Sequence, residues 1–184
     1  TDGYVVSSAI VSSPAEVSMV LTKAELIGSL QNEVRILLHL ATKIDGSSLD
    51  YRPTPKQRSS IELLRYLSLM GPLLIQAART GTFDPVVWTA AQQAAEGRDL
   101  SQTLDVIAAQ SDQFTTIIGD MTEDDFRGEI ELFGRKATRG SFIVNTVLCG
   151  YAAYRTQLFV YLKACGRTEL NTMNLWAGMD PAAK

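Results

Sequence analysis

The chain has 184 residues, 46% of them hydrophobic and 20% charged, with a formal net charge of −3. That apolar content is enough to bury one sizeable core, so a single domain is expected. Its Lys and Arg residues are scattered and offer no electrostatic footprint for a phosphate backbone or an anionic lipid surface, so neither nucleic acid nor membrane is expected as a partner.

Residues 1–21 are Ser-rich and β-branched without a sustained helical period, and are expected to form an extended N-terminal arm preceding one domain over 22–184. The start of the chain lacks the basic-then-apolar pattern of a secretory signal, and the apolar runs fall short of the roughly 18 residues of a spanning helix. A cytoplasmic address is the expectation. From Thr22 to Ile44, Leu26, Leu30, Val34, Leu37 and Ala41 recur at spacings of one helical face. This first helix should stop at Asp45-Gly46. Pro53 and Pro55 then forbid continuous helix, and Ser59 or Ser60 can cap the next one. The second helix carries Ile61, Leu64, Leu67, Met70 and Leu74 on one stripe, with a kink or interruption expected at Gly71-Pro72.

Asp84-Pro85 opens a short extra helix over 84–95. A further helix is expected over 101–119, closed by Gly119. The stretch from Met121 to Gly140 reads as a long connection with a little extended structure. The last helix is expected over 140–165, with Val147, Tyr151, Tyr154, Leu158, Tyr161 and Cys165 on its buried face and Gly166 as terminator. Four long amphipathic helices make an all-α, antiparallel four-helix bundle the economical architecture.

Metal and cofactor chemistry in such a bundle needs inward-facing ligands on adjacent helices, and this chain has one histidine. His39 lies two positions, about 200°, from Leu37 and is expected at the surface or in an interface. No glycine-rich phosphate loop and no nucleophilic triad is present, so no cofactor is expected. Cys149 is expected as an inert core thiol. Cys165, about 24 Å further along the same helix, cannot pair with it. The tyrosines carry the remaining polarity. Tyr66, Tyr151, Tyr154 and Tyr161 bring hydroxyls into or near the interior, where each needs a partner.

The segments LDYRPTPKQRSSIELLRYL (49–67) and YRTQLFVYLKACG (154–166) resemble signature stretches of the DinB/YfiT-like superfamily. The tail LNTMNLWAGMD (170–180) is similar to that superfamily's usual ending. The resemblance implies a bundle that binds a divalent metal through three histidines, one on the second helix and two spaced four apart on the last. It also implies metal-dependent thiol S-transferase or hydrolase activity in some members. Carried over residue by residue, the ligand positions fall at Tyr66, Gly150 and Tyr154, where no histidine stands. The expectation is therefore a DinB-like bundle without the metal site. Tyr66, Gly150, Tyr151, Tyr154 and Gln157 are its pocket candidates, and a small molecule or a partner protein is its ligand. A metal-dependent transferase or hydrolase with ligands elsewhere is the alternative, and a homodimer is expected.

Overall fold

The computed structural model describes residues 21–181, so the expected arm lies outside the described residues except for Leu21. The all-α expectation holds. Helices α1 (Lys23–Ala41), α2 (Ser60–Thr80), α3 (Pro85–Glu96) and α4 (Leu100–Gly119) are followed by a single turn, α5 (Glu123–Arg127). A hairpin of β1 (Glu129–Leu132) and β2 (Arg135–Thr138) comes next, paired antiparallel with Ile130 opposite Ala137. The chain re-enters helix at α6 (Arg139–Phe142) and passes through a π-helical stretch, Ile143–Leu148, into α7 (Cys149–Ala164). A π-helical turn, Met173–Ala177, closes the described tail.

The helix starts were written in the sequence. Thr22 with Glu25, Ser59 with Glu62, and Asp99 with Gln102 each form a capping box that satisfies orphan N–H groups at both positions. Asp84 caps α3 ahead of Pro85, and Gly81, at φ 74°, ends α2 in the left-handed conformation that glycine tolerates.

Polar contacts at the helix ends fix the directions. Lys23 Nζ donates to the Met121 carbonyl (2.6 Å) and Gln31 Nε2 to Ser111 O (3.1 Å), so α1 and α4 are antiparallel. Arg65 Nε donates to Arg98 O (2.9 Å) just before α4, while Arg79 lies 3.7 Å from Asp120 just after it, so α2 and α4 run in the same direction. The short helix α3 makes this possible. It carries the chain back along the outside of α2 and buries Ala95 alone. By length and apolarity α2 would pass for a membrane span, yet 67% of its most apolar window is buried against the other helices.

The core is continuous from Leu26, Leu30, Val34 and Leu37 on α1 through Leu63, Leu67 and Ile75 on α2 to Ile107, Phe114 and Ile118 on α4 and Val147, Leu158 and Leu162 on the last helix. At its centre Tyr151 is fully buried and donates to Gln110 Oε1 (2.6 Å), while Gln110 Nε2 donates to the Leu67 carbonyl (2.9 Å). The interruption expected at Gly71-Pro72 does not break α2, which is helical throughout. Gly71 instead makes room: a Cβ there would overlap the Tyr151 hydroxyl.

The buried face of the last helix keeps Val147, Tyr151, Leu158 and Tyr161 from the expected one and adds Ile143, Arg155 and Leu162, while Tyr154 and Cys165 are only part-buried. Arg155 therefore points inward where Tyr154 was expected. Its guanidinium binds Glu33 through Nε (2.6 Å) and Nη2 (3.1 Å), donates to the Leu175 carbonyl through Nη1, and faces the Trp176 ring at 5.4 Å. Cys149 is exposed, not core, because it lies two positions from both Val147 and Tyr151 and so faces away from them.

Candidate functional site

The end of the loop 45–59 and the start of α2 border a polar concavity. Ser60 N–H donates to Tyr51 O (3.1 Å) and Ile61 N–H to Leu49 O (3.0 Å), which hold the loop against the helix it precedes. The Tyr161 hydroxyl on α7 donates to the Arg58 carbonyl (3.2 Å), so the backbone of Arg58 is fixed from the opposite side. Its guanidinium carbon then lies 4.0 Å from the centroid of the Tyr66 ring, a cation–π arrangement.

A cleft of about 310 Å³ opens here between α2 and α3. Arg58, Glu62, Arg65, Tyr66 and Leu69 form one wall, and Gln92, Ala95 and Glu96 of α3 form the other. The walls are held in register because Arg65 donates twice to the Arg98 carbonyl and Arg98 Nη1 donates to Ser68 Oγ (3.1 Å). Burial, with the neighbouring Tyr154 phenol, pushes Tyr66 up to about 12, so it is a neutral hydrogen-bonding phenol at physiological pH.

The structure brings some of the expected site residues together and separates others. Tyr66 and Tyr154 meet edge to face with centroids 5.3 Å apart, and Trp88 of α3 completes the cluster at 6.1 Å from Tyr66. The space expected beside Gly150 is closed: a Cβ at that position would lie 3.3 Å from Met70 Cε. Gln157 does not reach Tyr66 or Tyr154 but donates to the Tyr161 hydroxyl one turn along α7. Tyr151 belongs to the core network with Gln110, where burial raises its pKa strongly. The concavity therefore lies on the α3 side of Tyr66, not between α2 and α7. Arg58 and the α3 wall were missed, although Arg58 stands inside the quoted loop motif, two residues before α2.

His39 is half-buried, not at an open surface. The tail covers it: Asn174 Nδ2 lies 3.1 Å from His39 Nε2 and donates to Asp180 Oδ1 (2.9 Å). Burial lowers its pKa, and Asp180 opposes that shift. A second, more apolar cleft of about 360 Å³ lies between the end of α2 and the start of α3, lined by Leu73, Ala77, Phe83, Val87 and Trp88 among others. Among the described residues no three His, Cys, Asp or Glu side chains converge as a metal site would require.

No family profile matches the chain. No curated protein is similar enough to match. The crystal structure of a DinB-like protein, YjoA, from Bacillus subtilis is similar over 79% of this chain and 94% of that one, with a TM-score of 0.61 and 20% identity. The fold is DinB-like. At that identity the likeness speaks for the arrangement of helices and leaves the chemistry to the residues of the cleft.

Proposed function

We propose that this DinB-like protein works without the metal site of its superfamily and binds a small molecule in the cleft beside Tyr66. The carrying observation is the Arg58 guanidinium, stacked on Tyr66 at a cleft of ligand size and without a carboxylate partner among the described residues. Apolar surface from Leu69, Ala95 and the Tyr66 ring next to a few convergent polar groups is the usual make-up of a small-molecule site.

A divalent metal does not fit the positions that the resemblance assigns to its ligands. Gly150 supplies no ligand, and Met70 occupies the adjoining space. Tyr66 holds its proton more firmly than an ordinary phenol, which disfavours the phenolate a metal would need. The two rings at 66 and 154 pack on one another instead of converging on a point. No metal-assisted step is therefore derived for this chain.

The reading carries with it a homodimer and a cytoplasmic address. The test is a thermal-shift and NMR fragment screen on the full chain, compared with Arg58→Gln. Compounds that stabilise the wild type, shift Tyr66 and Gln92 resonances, and lose that effect in the variant support it. A diverse screen with no such compound removes it.

A further inference from the structure

The cleft beside Tyr66 is lined by charges of both signs, and their hydrogen bonds separate occupied groups from those still open. Glu62 accepts from Arg52 Nη2 (2.8 Å) and from the Ser59 N–H (2.9 Å), so both its oxygens are engaged. Arg65 is committed to the Arg98 carbonyl through Nε and Nη2. Arg58 and Glu96, on opposite walls, form no ion pair with each other and no side-chain hydrogen bond within the described residues. The Gln92 amide, one turn before Glu96 on the α3 wall, likewise forms no hydrogen bond within the described residues.

We propose that this cleft takes a small zwitterion, an α-amino acid or a compound of the same charge pattern, with its carboxylate on Arg58 and its ammonium group on Glu96. This rests on the reading of the cleft as a ligand site and assigns its chemistry. The two arginines and two glutamates of the lining balance, so a ligand of net charge opposes no net field, while separated charges of opposite sign meet one open partner each. A purely anionic ligand would be attracted by Arg58 and Arg65 and repelled by Glu96 and Glu62. A purely cationic one would meet the reverse.

The Tyr66 ring 4.0 Å from its guanidinium carbon keeps Arg58 at the cleft, and a guanidinium without a carboxylate partner can take a two-pronged bond to a ligand carboxylate. Leu69, Ala95 and the Tyr66 ring supply an apolar floor for an aliphatic or aromatic side chain. A volume of about 310 Å³ stands at the small end of ligand sites and suits one amino acid better than a peptide.

The probes are L-leucine and L-phenylalanine, with 4-methylpentanoate and 3-methylbutylamine as leucine lacking its ammonium or its carboxylate. Binding is followed on the full chain by calorimetry and by the resonances of Tyr66 and Gln92. The expected result is saturable binding of at least one amino acid, with each leucine fragment weaker by about tenfold or more, the loss of one charge-assisted hydrogen bond. Arg58→Gln should weaken the amino acid without weakening the amine, and Glu96→Gln should weaken it without weakening the carboxylate. Both side chains are exposed, and circular dichroism of the variants separates lost binding from lost fold. Failure of both amino acids, or fragments that bind as tightly as leucine, overturns the zwitterion. If an unrelated compound from a fragment screen then occupies the cleft, the ligand site stands and only its assigned chemistry falls. If none does, both fall.

Discussion

Glu33→Gln should be among the most destabilising single substitutions at a polar position in this protein. Arg155 is 3% exposed and Glu33 retains 12% of its side-chain surface, so the pair is held largely out of water. The guanidinium makes two bonds to Glu33 and one to the Leu175 carbonyl, and among the described residues no other carboxylate is bonded to it. Removing the glutamate charge leaves a buried cation with neutral acceptors only, the amide oxygen introduced at position 33 and the Leu175 carbonyl, beside one aromatic face. Breaking one partner of a buried pair costs about 3–5 kcal/mol, against about 0–1 kcal/mol for an exposed pair. At roughly 2–4 °C per kcal/mol for a chain of this size, the melting temperature should fall by roughly 6–20 °C. Urea unfolding gives the free energy, and Trp176 fluorescence reports whether the tail leaves its place over Arg155. Glu33→Leu combined with Arg155→Met should recover much of the loss, because two apolar side chains leave no unpaired charge. A cost below about 1 kcal/mol for Glu33→Gln would refute the argument, since the pair would then behave as a solvated one.

Tyr151→Phe should cost about 1–3 kcal/mol in urea unfolding, because it strips the buried Gln110 Oε1 of its donor, and a value near zero would remove the network from the account of the core. Gly71→Ala should destabilise despite alanine's higher helix propensity, since the new methyl overlaps the Tyr151 hydroxyl; a gain in stability would show that Tyr151 can move aside. Elemental analysis of the purified protein should find no stoichiometric Zn, Ni, Mn or Fe, and one tightly bound metal per chain would restore the metal-dependent alternative. The Asp45 carboxylate accepts from the N–H and hydroxyl groups of Ser47 and Ser48 and is held at about 2. A depressed folded value stabilises above the ordinary carboxylate range and loses that contribution as pH falls toward about 2, so Asp45→Asn should flatten the acid limb of the stability profile. An unchanged acid limb in that variant would contradict the linkage.

The order and starts of the helices were legible because their signals are local. A capping box occupies four residues, and the α1 stripe of Leu26, Leu30, Val34 and Leu37 repeats within one segment. The inward face of α7 was legible at Val147, Tyr151, Leu158 and Tyr161 but not at Arg155, a charged residue that no local pattern places inside. Arg155 takes a core position between Tyr151 and Leu158, paired there with Glu33 of α1, and Tyr154 lies at the edge, where it meets Tyr66. The buried Glu33–Arg155 pair escaped because its members lie 122 positions apart on different helices. The polar cleft escaped for a like reason. Its two open charges, Arg58 and Glu96, come from segments 38 positions apart (96 − 58), brought together because α3 folds back along α2. Each alone is an ordinary exposed charge in the sequence, and only the return path of α3 places them on opposite walls of one cleft. Shortening that return would test the point. Deleting one turn of α3 after Trp88, which packs on Tyr66, should leave most of the α1, α2, α4 and α7 core in place, since Ala95 is the one fully buried residue of α3, while moving Glu96 relative to Arg58. Unchanged far-ultraviolet circular dichroism with lost amino-acid binding is the expected result. Binding that survives the deletion would show that the α3 wall takes no part in recognition.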